Sequence, residues 1–375
     1  MLGTLHAIEA RSRGWDVLQL DTDPEPQDAS VRSPGTVWVG TRAPGLELRL
    51  ALRAREQWRS ISARAPGVGF RSEGSITLAT DPVHLQIFDE VLDRDDADQR
   101  GFRFLAASVV GKVNPALRGR FLGGLHCSQD GVLEPRLALS ALRSELLAGD
   151  GYEFLGGRQV WEVDSGSVID TTGRVHRSDA VVVCPGARSS VLTNMLTARA
   201  PLQRVKVQMM QTAPLADRLR TLVADGDSMR YSAAFDVPAR QLLPQVDPVT
   251  EEFHMQVTCA QRTSGALTIG DTHEYQEPFD FDLSERPYGH LVERIEALLG
   301  RPLPAVVRRW SGVYHRCTDD RLWYREEVDD GVIVVTGAGQ RGLTLAPVIA
   351  ADTFDWLEDG IESGGALPAT LRNTP

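Results

Sequence analysis

Lysine is all but missing from this chain of 375 residues: Lys112 and Lys206 stand alone, and every other basic residue is arginine. So strong a bias reads as the codon usage of a GC-rich genome rather than as arginine-specific recognition. The four cysteines, Cys127, Cys184, Cys259 and Cys317, are scattered without a CxxC pair. That excludes a disulfide framework and a cysteine zinc site. Apolar runs such as Ala180–Cys184 and Val332–Val335 are strand-length, far short of the ~18–20 residues that span a bilayer. No charged leader precedes an apolar stretch, so the expected location is the cytoplasm. Positive charge is also in deficit, at a net −11, which argues against a dedicated nucleic-acid binder. Ser/His/Asp and Cys/His constellations and a clustered His/Asp/Glu set are missing too, so neither a triad hydrolase nor a metal centre is expected.

What is present is the balance of a globular protein with a sizeable core, 42% hydrophobic and 24% charged residues. The length suits two interleaved domains of roughly 100–200 residues each. Leu2 to Arg13 reads as a helix, with Leu2, Leu5 and Ile8 at helical spacing, Gly3 and Ala7 on a small-residue face, and Gly14 as its stop. Asp16-Val17-Leu18-Gln19-Leu20-Asp21 follows as a short strand ending in a carboxylate. This order is the second half of a βαβ dinucleotide unit, in which G-x-G-x-x-G opens the helix and an acid ~20 residues on holds a ribose. Gly3 stands as the third glycine and Asp21 as the acid. The strand and the two glycines that would precede them are not in the sequence.

Two further stretches carry the same signature. Asp179-Ala180-Val181-Val182-Val183-Cys184-Pro185-Gly186-Ala187 is a continuous apolar strand broken by Pro-Gly, as in sheets buried on both faces. Val332-Ile333-Val334-Val335-Thr336 runs into Gly337-Ala338-Gly339-Gln340-Arg341-Gly342, with Leu343–Leu357 as a helix behind. No strand and acid follow it, so it is not a second dinucleotide fingerprint. A glycine turn at a helix start still offers free amides and a positive dipole end, which suits the electron-accepting part of a cofactor.

Taken in this order, the three segments resemble the FAD-dependent amine and amino-acid oxidases of the D-amino-acid oxidase type, including glycine oxidase and sarcosine oxidase. Ser30-Val31-Arg32-Ser33-Pro34-Gly35-Thr36-Val37-Trp38 with Arg42-Ala43-Pro44-Gly45, Lys206–Pro214 and Gly270-Asp271-Thr272-His273-Glu274-Tyr275 are similar to a bacterial subfamily associated with aminophosphonate breakdown. The resemblance implies an α/β fold: a Rossmann-like FAD-binding domain of glutathione-reductase type interleaved with an α+β substrate domain on an antiparallel sheet. The boundaries expected are 1–70, 125–198 and 318–375 for the first and 71–124 and 199–317 for the second.

It also implies roles. Asp21 would bind the adenosine ribose, and Ser30, Arg32 and Gly35 would pass the flavin, where Pro34 cannot donate an N–H. Gly186 and the turn Gly337, Gly339, Arg341, Gly342, Leu343 and Thr344 would meet the flavin ring. Substrate contacts are expected from Lys206 and Gln208, on one parity of a strand, from His254 on the strand-like stretch Phe253–Val257, and from His273 and Tyr314. Tyr314 takes the place where glycine oxidase-like relatives grip a carboxylate with arginine, and Thr268 the place of an oxygen-activating lysine. Cys317 is out of register for covalent attachment, so FAD is expected to be non-covalent. The resulting expectation is a small primary or secondary amine, an aminophosphonate among the candidates. It would be oxidised by hydride transfer to an imine and then an aldehyde, with oxygen or another acceptor taking the electrons. The rivals are a non-catalytic remnant of the same fold that does not retain FAD, and an NAD-dependent dehydrogenase.

Overall fold

A computed structural model describes residues 1–362; the tail of the expected nucleotide domain, 363–375, lies outside the described residues. The opening helix runs Leu2–Ser12 and the strand after it Val17–Asp21, within a residue of the sequence expectation. Val17–Asp21 pairs in parallel with Tyr152–Gly156. Val181–Val183 pairs in parallel with Val332–Thr336, which Tyr324–Asp329 flanks in antiparallel fashion. These are two separate sheets among the described residues. Val17–Asp21 and Val181–Val183 each leave one edge unpaired, and all their residues are part-exposed, unlike the fully buried Val332–Thr336. The first helix rests on both: a Cβ on Gly3 would lie 3.7 Å from Cys184 Cβ and 4.0 Å from Gln19 Nε2.

The second unit is an eight-stranded sheet in the order Val306–Cys317, Leu202–Pro214, Ala266–Gly270, Thr258–Gln261, Leu222–Asp225, Ser75–Ala79, Gly123–Cys127, Phe102–Ala106. The antiparallel sheet expected from sequence is therefore corrected to a mixed one, because Leu222–Asp225 and Ser75–Ala79 run parallel where two antiparallel halves meet. Gly123–Cys127 lies across the expected boundary at 125, since its ladder to Ser75–Ala79 keeps it in this sheet. Register decides which residues share a face. The row Ile76, Val223, Cys259, Ile269 and Met210 is buried against the Glu285–Leu299 helix, through Tyr288, Leu291, Ile295 and Leu298. The neighbouring row, Thr77, Ala224, Thr258, Gly270 and Met209, faces the other way.

The first helix packs against the last, Gly342–Glu362. His6 Nε2 lies 3.1 Å from Thr353 Oγ1, and burial pushes the His6 imidazole down to about 4, so it stays neutral at physiological pH. Trp58, wholly buried on the Leu46–Arg64 helix, donates its indole N–H to the carbonyls of Leu343 at 3.0 Å and Thr344 at 3.2 Å. It thereby fixes the start of the last helix. Trp58→Ala is expected to lower the unfolding free energy by about 3–5 kcal/mol, the usual cost of a truncated core tryptophan, as read by chemical denaturation. Trp58→Phe, which keeps most of the packing, should lose markedly less.

Candidate active site

One cleft runs between the two units. Its lining includes Met1, Leu2 and Gly3 of the first helix and Gly337, Gly339 and Leu343 of the turn into the last helix. Both are helix starts, whose dipoles favour negative charge; at the last helix the Arg341 and Gly342 amides already bond the Ala338 and Gly339 carbonyls. Gly337 and Gly339 hold φ of 75° and 60°, a region L side chains avoid. A Cβ on Gly337 would also come within 2.8 Å of Cys317 Sγ. Bare backbone is therefore required on this wall. Ser30, Arg32 and Pro34 also line the cleft. Arg262 holds their loop with 2.9 Å and 3.0 Å bonds to the carbonyls of Leu133 and Pro34. Ser30 Oγ accepts from the Met1 ammonium at 2.9 Å, and burial lowers that ammonium to about 6.

The eight-stranded sheet supplies the facing wall through Thr77, Ala224, Thr258, Val207, Gly312 and Tyr314. These are mostly small, leaving a broad flat surface. Tyr314 rises beside the glycine turn, its Cε2 4.0 Å from a Cβ built on Gly339. Burial first, then the Asp271 carboxylate, holds its phenol well above the ordinary value and so neutral. The arginines on the wall are each held to the protein by at least one nitrogen, and the Nη pair of Arg341 has no bond among the described residues. Arg341 Nε donates to Glu47 at 2.7 Å and Arg42 lies 3.7 Å from the same carboxylate; burial lowers Arg42 to about 10. Arg32 donates to the carbonyls of Gln27 and Ser311. Two arginines thus share one acid beside the turn, a local excess of positive charge. His315 Nδ1 donates to the Gly186 carbonyl at 2.9 Å, which fixes that ring.

The cleft brings together Gly3, Ser30, Arg32, Gly186, His273, Tyr314, Gly337, Gly339, Arg341, Gly342 and Leu343, as expected from sequence. Other expectations are corrected. Lys206 and Gln208 share the Met210 face of their strand, turned away from the cleft. Lys206 Nζ lies 3.6 Å from Glu274 Oε2, and Gln208 Nε2 donates to Glu274 Oε1 at 2.8 Å. His254 is exposed: Pro248–Phe253 is a short helix and the strand starts only at Thr258, so strand alternation never applied to it. Gly35 and Thr344 stand behind the wall, and Asp21, part-exposed, is not among the residues that line the cleft. Asp21 pairs with Arg143 at 2.9 Å, Gly35 packs on the Leu133 carbonyl, and Thr344 Oγ1 accepts from the Trp38 amide at 3.0 Å. Glu47, Met229, Tyr231, Gln256 and Asp271 line the cleft without having been singled out. Of these, Asp271 lies inside the Gly270–Tyr275 motif and Gln256 shares the parity of His254 in Phe253–Val257; the others carried no sequence signal.

No group of three or more His, Cys, Asp or Glu could hold a metal ion among the described residues. Nor is any described helix long and apolar enough to cross a membrane. By sequence, no characterised protein matches the chain. Among solved structures it is similar to glycine oxidase from Geobacillus kaustophilus, at TM-score 0.74 and 19% identity, covering 100% of this chain and 95% of that one. Iminodiacetate oxidase from Chelativorans sp. BNC1 gives TM-score 0.74 and 18% identity, with 100% and 96% covered. L-alpha-glycerophosphate oxidase from Mycoplasma pneumoniae, a structure with FAD bound, gives 0.69 and 13%, with 93% and 90% covered. The profile of the DAO family, FAD dependent oxidoreductase, matches residues 1–356, and the chain belongs to that family.

Proposed function

We propose that the protein oxidises a small primary or secondary amine bearing an anionic head group, an aminophosphonate in the first instance, to an imine that water opens to an aldehyde. The observation that carries this is a cleft lined by two helix starts and by arginines already held to the protein, Arg341 through Nε to Glu47 and Arg32 to backbone carbonyls, with several neutral donors beside them. The residues fit FAD. Two helix starts suit its anionic parts, and the bare backbone at Gly337 and Gly339 admits a close flat ring. When bound, FAD supplies the two-electron oxidant.

The chain's own residues then divide the work. Gly3 and the first-turn amides serve the dinucleotide end, with Asp21 at the ribose and Arg143 orienting its carboxylate. Ser30 and Arg32 serve the middle, with Gly35 packed behind them on the Leu133 carbonyl, and Gly186, Gly337, Gly339, Arg341, Gly342 and Leu343 serve the ring end. Thr344 acts behind them by holding the Trp38 amide. The positive excess of Arg42 and Arg341 over Glu47 favours negative charge arriving at the turn. Cys184 is the cysteine on the cleft wall and Cys317 is not, which supports non-covalent FAD, with oxygen or a second acceptor reoxidising it. On this reading 1–70, 125–198 and 318–375 form the nucleotide part and the remainder the substrate part.

A carboxylate is gripped best by a planar bidentate fork, whereas a tetrahedral dianion suits dispersed donors. His273, Tyr231 and Tyr314 are such donors on this wall. Under anaerobic conditions 2-aminoethylphosphonate is expected to reduce the flavin faster than β-alanine, followed by absorbance. Equal or faster reduction by β-alanine, glycine or sarcosine would remove the phosphonate and leave the amine.

The dinucleotide cradle carries a proposal of its own: one more parallel strand, ending in Gly-x-Gly, belongs between the open edges of Val17–Asp21 and Val181–Val183. Extending the chain in frame by such a strand should tighten FAD binding about ten- to hundred-fold, one charge-assisted hydrogen bond being worth ~1.5–3 kcal/mol. Stoichiometric FAD retained by the 375-residue chain after gel filtration would show that no such strand is needed.

A further inference from the structure

We infer that Asp271 is the group that holds the substrate's ammonium, and so sets the preference for an amine over the corresponding alcohol; the inference rests on the amine reading above. The acids on the cleft wall are Glu47 and Asp271. Glu47 is occupied by Arg341 and Arg42. Asp271 has no such partner: among the described residues no other side chain donates to its carboxylate, and His273 is its cationisable neighbour.

The wholly buried acids of this molecule are paired, whereas Asp271 is part-exposed on the cleft. Asp130 accepts from the amides of Val39 and Gly40 and from Ser75. Asp225 takes a bidentate bond from Arg294 and two from Ser228. Asp170 binds Thr172 and His176. Buried acids kept for architecture are paired, because an unpaired one loses hydration without recompense. Burial pushes the Asp271 carboxyl above its ordinary value, the cost of leaving that charge open to the cleft.

Its place is also fixed. Asp271 N donates to the Gln256 carbonyl at 2.7 Å and Gln256 N donates back at 2.9 Å, so the carboxylate hangs from a pinned backbone. Tyr314 stands against the glycine turn and feels the charges of both Asp271 and Arg341. A cation held by Asp271 is therefore close to Tyr314, which stands against the turn that serves the ring end. The Tyr314 phenol, kept neutral, offers the nitrogen a hydrogen-bond acceptor and a ring face rather than a repelling charge. An alcohol in the same position brings no charge to neutralise the carboxylate. A site built around an ionic partner discriminates against a ligand that lacks the charge.

The test is calorimetric binding to the FAD-loaded protein of two matched pairs: 2-aminoethylphosphonate against 2-hydroxyethylphosphonate, and β-alanine against 3-hydroxypropionate. In each series the wild type should prefer the amine, and Asp271→Asn, which keeps shape and backbone pairing, should weaken only the amine, by about ten- to hundred-fold. Asp271→Glu, which keeps the charge, should restore part of the preference. Equal loss for amine and alcohol in Asp271→Asn, or no amine preference in the wild type, overturns the assignment. Failure of every amine to reduce the flavin would instead strike the oxidation reading, because binding preference is measured without turnover.

Discussion

Two helices meet with their N-termini open on one cleft, and the packing between those helices is the constraint on which the rest depends. A helix start carries the positive end of its dipole, so each places a demand for negative charge in the cleft. Whether the two demands fall on one ligand depends on the angle and offset between Leu2–Ser12 and Gly342–Glu362. Buried, specific contacts fix that relation: His6 against Thr353, and Trp58 clamped to the carbonyls of Leu343 and Thr344. Around it, Arg13 ties Glu9 to Asp355 and Glu358 at the far end of the pair. These outer ion pairs are partly exposed and individually weak; the buried contacts set the geometry.

The sequence was legible where backbone chemistry is dictated by residue type. Apolar runs ended by glycine announced Val181–Val183 and Val332–Thr336 and the turns beyond them, where Gly186, Gly337 and Gly339 take the positive φ that glycine allows. It was illegible where both faces of a strand are equally buried. On Leu202–Pro214, Val205, Val207 and Met209 have one parity and Lys206, Gln208 and Met210 the other. Alternation yields the parity but not which one meets the cleft. The polar parity turned out to lie toward the helix-covered core, where Glu274 serves Lys206 and Gln208 together. Polar character had pointed to substrate, whereas here it marks a buried ion pair satisfied within the fold.

His254 failed for a different reason. Phe253–Val257 alternates like a strand, yet Asp247 caps a short helix by accepting from Val249 N and Thr250 N, and Pro248 sits at the helix's first turn, where its missing N–H costs nothing. The local start signal outweighed the alternation, and His254 closes that helix in a left-handed conformation with φ of 45°. The mixed character of the large sheet was equally hidden: a parallel junction between Leu222–Asp225 and Ser75–Ala79 joins segments far apart in the chain, and short-range pattern carries no record of it.

Charge at the site follows from these placements rather than from composition. A chain rich in arginine and acidic overall brings to the cleft arginines that are each partly tied to the protein, by Glu47 or by backbone carbonyls. Arg341 keeps its Nη pair open beside the glycine turn, and the acid left open is Asp271. A wall of Thr77, Ala224, Thr258 and Gly312 adds bulk nowhere, so neither size nor a cationic clamp dominates selection. Discrimination then falls to the two ends of a small ligand: an anion met by dispersed donors, and a cation met by one fixed carboxylate. Because a fork and a free acid make opposite demands on ligand charge, the wall's composition narrows the choice of head group without enlarging the site.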